Sequence, residues 1–150
     1  MGFETFALNL YDNMDFVMKV FNTYADWTRE VFHSIRDVGF DFYFCSDDIA
    51  FKTGPFVSPE VFKEVILPKL KEVAALIQVP WVYHSDGNLL PVLEDWLTLG
   101  QNGMHPIEPA AMNIFELKKA IGERICLVGN VEIDTLSLGT VKEVDKEVKE

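Results

Sequence analysis

Basic residues are scarce in this sequence, and that shortage excludes one broad class of partner. The chain has 13 Lys and Arg against 24 Asp and Glu, which gives a formal net charge of −11 at pH 7. A protein of this charge repels phosphate backbones and anionic membrane surfaces unless a local basic patch intervenes. We find no such patch, so we expect no nucleic-acid partner.

Long apolar runs and cysteines are scarce too. No run approaches the roughly 18 apolar residues of a membrane span, and the N-terminal sequence MGFETFALNL resembles neither a secretory leader nor a myristoylation signal. Cys45 and Cys126 each lie in an apolar run and are predicted to be small buried side chains, with a disulfide or a thiolate ligand as the alternative. We therefore expect a cytoplasmic protein without membrane association.

What the chain does have is enough apolar material for one globular domain. Of its 150 residues, 49% are hydrophobic and 13% are aromatic. The spacing of apolar residues predicts a long helix over 13–38, with an apolar stripe formed by Phe16, Val20, Tyr24, Trp27, Val31 and Ile35. It further predicts strands at 40–45, 80–84, 103–106 and 125–128, and helices at 58–77, 89–99, 113–122 and from 140 onwards. Thr140 and Glu143 are predicted to form a capping box at the start of the last helix. Pro68 is expected to kink the helix that contains it.

Alternating strands and helices predict an α/β fold with parallel strands and helical crossovers. Two architectures fit, a doubly wound open sheet and part of a (β/α)8 barrel of the TIM type. The first lacks support, because no strand leads into a G-x-G-x-x-G or G-x-x-x-x-G-K-[ST] loop. In the second, residues 1–150 form a single partial-barrel domain with uncovered edges, so we expect a piece of a longer chain or a half-barrel completed by a partner or second copy.

Polar residues follow each expected strand at its carboxyl end. They are Asp47 and Asp48, then His84 and Asp86, then Glu108, and last Asn130 and Glu132. The loops at this edge of a parallel sheet converge, and small-molecule substrates bind there in barrels. The alternative is that the acids among them are solvated turn residues.

His84 is the strongest single candidate, because it follows Val82 in the strand alternation and so continues the strand instead of starting a loop. It suits a metal ligand or an acid–base group, or else it is a ring hydrogen-bonded beneath a turn. Asp86 points the same way if the strand continues, so the pair can hold a metal with Glu108 or with an aspartate after the first strand. Asp86 before a glycine is also ordinary turn chemistry, and His105 lies either beside this site or toward the helices.

The order of three segments resembles the uroporphyrinogen decarboxylase superfamily. They read SDDIAFKTGPFVSPEVFKEVILPKL, VPWVYHSDGNLLPVLEDWLTLGQNGMHPIEP and LKKAIGERICLVGNVEIDTLSLGTVKEV. The resemblance covers about 39–150 and implies a (β/α)8 barrel. It also implies one of two reactions: cofactor-free decarboxylation of the acetate side chains of a porphyrinogen, or zinc-assisted methyl transfer between a corrinoid protein and a thiol or other acceptor.

The match to the methyltransferase branch runs through His84, which stands where those members have the zinc-ligand histidine of a His-x-Cys-Gly segment. Asp86 takes the place of the cysteine, and a carboxylate oxygen can also bind zinc. The decarboxylases have a substrate-binding serine in Phe-Asp-Ser-x-Ala-Gly, whereas residues 46–50 here read Ser-Asp-Asp-Ile-Ala. The added acid would repel a polycarboxylate. The Gly129-Asn130 pair is common to both branches.

The resemblance therefore favours a methyltransferase-like member with metal-assisted chemistry. The catalytic candidates are Asp47, Asp48, His84, Asp86 and Glu108; the substrate-binding candidates are Asn88, Gly129 and Asn130; the candidate metal ligands are His84 and Asp86. The implied cofactors are zinc and a corrinoid carried by a partner protein, or none for a decarboxylase. A third alternative is an inactive or split half-barrel that needs a partner.

Overall fold

Four parallel strands form the main sheet within residues 2–149, the part of the chain that the computed structural model describes. They are β1 (Tyr43–Ser46), β4 (Trp81–His84), β5 (Gly103–Ile107) and β6 (Cys126–Gly129). Their order in the sheet follows the chain, β1-β4-β5-β6, with each pair parallel. The predicted α/β fold with parallel strands and helical crossovers is confirmed.

Two helices precede the sheet, α1 (Phe3–Asp12) and α2 (Met14–Ile35). Asn13 separates them, and its side chain accepts a hydrogen bond from the Phe16 amide in the first turn of α2. The sequence predicted α2 but not α1. No helix among residues 2–149 is both long enough and apolar enough to cross a bilayer.

Between β1 and β4 the chain forms a short hairpin and then an interrupted helix. The hairpin is β2 (Ala50–Phe51) and β3 (Gly54–Pro55), and the helix is α3 (Pro59–Val61), a π-helical turn (Phe62–Ile66) and α4 (Leu67–Ala74). The expected irregularity at Pro68 takes the form of this π turn, because a proline near the start of α4 cannot donate to the turn before it.

The remaining crossovers are shorter. A 3-10 turn (Leu90–Val92) and α5 (Leu93–Leu97) join β4 to β5, α6 (Ile114–Ile121) joins β5 to β6, and α7 (Ile133–Leu138) and α8 (Val141–Lys149) follow β6. Thr140 and Glu143 form the predicted capping box of α8, since Glu143 Oε2 accepts from the Thr140 amide at 2.7 Å and the Glu143 amide donates to Thr140 Oγ1 at 3.4 Å. Helix α7 was not predicted.

The helices bury one face of the sheet and leave the other open. Trp81 and Tyr83 point toward the helices and are buried, and the Tyr83 ring packs edge-on against Trp96, with ring centroids 5.3 Å apart. On the opposite face Phe44 is 52% exposed. This exposed face corresponds to the inside of a barrel, which four strands do not close.

The predicted apolar stripe of α2 has the correct helical spacing, but it does not coincide with the buried side of the helix. Three residues of the stripe are exposed, namely Phe16, Tyr24 and Trp27, and the other three are partly buried, namely Val20, Val31 and Ile35. The fully buried residues of α2 are Val17 and Ala25. Apolar residues cover more than one side of this helix, so periodicity alone does not select the buried side. The small Ala25 lies on the side that packs against α4 and the sheet.

The two cysteines are free, and the prediction that both are buried is wrong for one of them. Cys45 is half-buried, and desolvation raises the pKa of its thiol. Cys126 is exposed. It lies on β6, which is an edge strand of the described sheet and is therefore covered less than the central strands.

Candidate metal centre at the carboxyl edge of the sheet

Three predicted site residues meet at the carboxyl ends of β1 and β4. Asp48, His84 and Asp86 each present one ligand atom within 4.8 Å of the other two. His84 Nε2 lies 3.6 Å from Asp48 Oδ1 and 3.7 Å from Asp86 Oδ1. The His84 side chain is 22% exposed, so solvent can reach its ring although most of the ring is covered.

Hydrogen bonds tie together the two loops that carry the carboxylates. The Asp86 amide donates to Asp48 Oδ1 at 3.0 Å, which ties the loop after β4 to the loop after β1. Ser85, fully buried, ties the same loops again: its Oγ accepts from the Ile49 amide at 3.0 Å and donates to the Asp86 carbonyl at 3.1 Å. The cluster is therefore preorganised by the fold.

Gly87 and Glu108 fix the far end of the loop after β4. Gly87 has φ +88°, and its amide donates to Glu108 Oε2 at 2.6 Å. A Cβ at Gly87 would lie 2.5 Å from the carbonyl oxygen of Phe51, so only glycine fits under the β2–β3 hairpin. Glu108 thus acts on the loop backbone, not as a member of the three-residue cluster.

His84 makes its second contact with another histidine. Residues 84 and 105 are paired in the β4–β5 register, and their Nδ1 atoms are 2.7 Å apart. The Phe44 ring packs against both, with centroids 6.0 Å from His84 and 5.1 Å from His105. Desolvation lowers the pKa of His105, as does the neighbouring His84, while Asp86 acts in the opposite direction.

Asp47 lies apart from the cluster. Strand alternation turns it toward the helices, where it lines a cavity of about 290 Å³ with Cys45 and Tyr83. Desolvation raises the pKa of the Asp47 carboxyl, with a smaller effect from Asp48. The buried Tyr83 hydroxyl has no hydrogen-bond partner among the described residues.

The three substrate-binding candidates are also outside the cluster. The Asn88 side chain accepts from the Leu90 amide at 3.0 Å and so starts the 3-10 turn. Gly129 has φ +134° and approaches β5 so closely that a Cβ would lie 2.7 Å from the Ile107 nitrogen. Asn130 adopts φ +111°, a rare conformation for a non-glycine residue that often marks functional sites. Its Oδ1 is buried without a hydrogen-bond partner in the described part of the chain.

Sequence reasoning missed the role of Ser85 and left His105 undecided. His105 had a usable signal, because both histidines come near the ends of consecutive strands and parallel neighbours place such positions side by side. Ser85 had no such signal in the sequence. Its hydrogen bond with the Ile49 amide joins two loops whose residues are 36 positions apart in the chain.

The Asp48–His84–Asp86 cluster fits a divalent transition metal. Ligands at about 2.0–2.1 Å from a tetrahedral zinc are roughly 3.3 Å from one another. The separations of 3.6 and 3.7 Å from His84 Nε2 are a few tenths of an ångström longer than this value and too long for hydrogen bonds, and the two carboxylate oxygens lie within 4.8 Å of each other. One imidazole and two carboxylates also leave a fourth position open, as in catalytic zinc sites.

Comparison with known proteins agrees with the fold. The family model described as Uroporphyrinogen decarboxylase (URO-D) matches residues 1–150. A protein named methylcobamide:CoM methyltransferase MtaA, from Methanosarcina barkeri (strain Fusaro / DSM 804), is 30% identical over 118 residues, which are 78% of this chain and 34% of that protein. Another protein of that name from Methanosarcina barkeri is 28% identical over the same length.

A solved structure, a methyltransferase from Methanosarcina mazei, superposes on 98% of this chain with a TM-score of 0.82 and 25% sequence identity. The chain covers 43% of that structure and about a third of the length of the curated relatives. The predicted fold class, α/β units of a (β/α)8-barrel family, is confirmed, with this chain spanning part of the barrel.

Proposed function

The chain belongs to the uroporphyrinogen decarboxylase family, and from that premise we propose that it serves metal-assisted transfer of a methyl group from a methylcobamide to a thiol. The observation that carries the proposal is the Asp48–His84–Asp86 cluster at the carboxyl edge. Support comes from the matched relatives, which are named for this donor and for coenzyme M as acceptor.

His84 Nε2 and one oxygen each of Asp48 and Asp86 would hold the metal. A divalent metal there would lower the pKa of an acceptor thiol, so that its thiolate sulfur could take the methyl group while the bonding electron pair stays with the cobamide. Two hydrogen bonds tie together the loops that carry Asp48 and Asp86. Glu108 holds the loop after β4 through the Gly87 amide.

The surroundings of His84 at the carboxyl edge suit a large methyl donor. The Phe44 ring packs against His84, with ring centroids 6.0 Å apart, and is half exposed. A corrinoid presents a flat, largely apolar ring, and aromatic and aliphatic side chains would contact it. We therefore propose that a corrinoid protein is the partner and that it docks over the carboxyl edge.

Porphyrinogen decarboxylation is the weaker alternative, because it requires a substrate with many carboxylates. Asp48, Asp86 and Glu108 place three acids at this edge, and their charge would oppose such a substrate. Incubation with the octacarboxylate porphyrinogen is expected to release no CO2.

The test is zinc content together with methyl transfer from methylcobalamin to coenzyme M. We expect the purified protein to bind one zinc per chain and to form the methylated thiol. His84→Ala should lower the affinity for zinc and the rate of methyl transfer, each by at least about 100-fold. His33→Ala is the matched control, since His33 is exposed at the end of α2. A wild type without zinc, or a His84→Ala variant as active as wild type, would refute the proposal.

A further inference from the structure

The contact between His84 and His105 limits where protons reside in the cluster. Two ring nitrogens 2.7 Å apart must share one hydrogen bond, in which one Nδ1 donates and the other accepts. The structure alone permits either direction, because each neutral ring carries its proton on one nitrogen or the other.

Metal binding removes this freedom. The opposite nitrogen of His84, Nε2, faces Asp48 Oδ1 at 3.6 Å and Asp86 Oδ1 at 3.7 Å. A metal held there needs the Nε2 lone pair, so the proton of His84 must be on Nδ1. His84 Nδ1 then donates, His105 Nδ1 accepts, and the proton of His105 is on its own Nε2.

We propose that His105 is a positioning residue that fixes the tautomer and the ring orientation of His84 for metal binding. This inference rests on the proposed metal site and adds a role for a side chain outside the ligand set. Metal-bound histidines generally donate their second N–H to a carboxylate, a carbonyl or water. Here another imidazole accepts it.

A neutral acceptor suits the charge of this site. Two carboxylates and one divalent cation already balance, so a third carboxylate behind His84 would leave a net negative charge in a partly buried place. His105 accepts the hydrogen bond without adding charge.

His105 is also held firmly enough to position its neighbour. Its carbonyl oxygen accepts from the Ser85 amide at 2.8 Å, and its ring packs edge-on against Phe44. On the β4 side the β5 backbone pairs His105 directly with His84, whereas on the β6 side the register shifts between Met104 and Ile107. The ring therefore presents Nδ1 from a fixed direction.

The experiment measures zinc dissociation constants by competition with a chelator for wild type, His105→Ala, His105→Asn and His33→Ala. The Asn side-chain oxygen occupies the position of histidine Nδ1 and can accept the same hydrogen bond. We expect His105→Ala to weaken zinc binding by about 10- to 100-fold, His105→Asn to recover most of that loss, and His33→Ala to match wild type.

Nitrogen-15 NMR of the zinc-loaded protein supplies a readout that a packing role would not move. The expected spectrum has the His84 proton on Nδ1 and the His105 proton on Nε2. Zinc binding by wild type with an unchanged constant in His105→Ala, or a His105 proton found on Nδ1, would overturn this inference and leave the metal site intact. A wild type that binds no zinc would overturn both.

Discussion

Replacing Gly87 with alanine tests whether the loop after β4 is fixed by the hairpin above it. Gly87 has φ +88°, and a Cβ there would lie 2.5 Å from the Phe51 carbonyl oxygen and 2.7 Å from that of Ala50. Both atoms belong to the backbone of β2. The hairpin cannot simply recede, because the Phe51 oxygen also accepts from the Asn88 amide at 2.8 Å.

Gly100 is the matched control. It has φ +84°, and a Cβ there would meet nothing within 4 Å. Alanine at either position incurs the left-handed backbone cost of about 1–2 kcal/mol. Only Gly87→Ala adds the steric overlap, worth about 1–3 kcal/mol, so its free energy of unfolding should fall by about 2–5 kcal/mol.

Urea denaturation followed by tryptophan fluorescence measures both variants, since Trp81 and Trp96 are buried. Zinc affinity should fall for Gly87→Ala, because Asp86 is the preceding residue, and should stay unchanged for Gly100→Ala. Equal destabilisation by the two substitutions would refute the steric reasoning.

Three further predictions concern single side chains around the cluster. Glu108→Ala removes the acceptor of the Gly87 amide and should lower the free energy of unfolding, measured by urea denaturation, by about 1–3 kcal/mol. Glu108→Gln keeps an acceptor oxygen and should lower it less; equal losses in the two variants would contradict the role of this hydrogen bond. Ser85→Ala leaves a buried amide unpaired and should cost about 1–3 kcal/mol, while Ser137→Ala on exposed α7 should change stability by less than about 0.5 kcal/mol. Desolvation beside the cavity raises the pKa of the Asp47 carboxyl, so stability falls as pH rises through that pKa, by a small amount because Asp47 remains exposed to solvent. Asp47→Asn should therefore raise the melting temperature at pH 7 and have little effect near pH 3; a melting temperature unchanged at pH 7 would contradict the assignment.

The sequence predicted the parts of the fold that depend on local pattern. Strands with apolar runs and helices with capping residues were found close to their observed bounds, as Thr140 and Glu143 illustrate. The β2–β3 hairpin was not found, because strands of two residues carry no periodicity. The buried side of α2 was misassigned, since several of its sides are apolar.

The positions of polar residues at strand ends predicted which side chains meet at the carboxyl edge, whereas the hydrogen bonds between loops could not be predicted. The position of His84 followed from alternation along β4, and its approach to Asp48 and Asp86 followed from convergence at the carboxyl edge. Asp47 was grouped with its neighbour Asp48, yet alternation turns it to the other face. The contact with His105 is suggested by the two histidines on consecutive strands, but it also depends on the exact register between β4 and β5, which the sequence does not fix.

X-ray absorption spectroscopy of the zinc-loaded protein tests the central claim most directly. The Asp48–His84–Asp86 cluster predicts a first shell of nitrogen and oxygen only, at about 2.0–2.1 Å, with one imidazole whose signal is lost in His84→Ala. A protein that holds no zinc, or one with a sulfur ligand at about 2.3 Å from either cysteine, would contradict it.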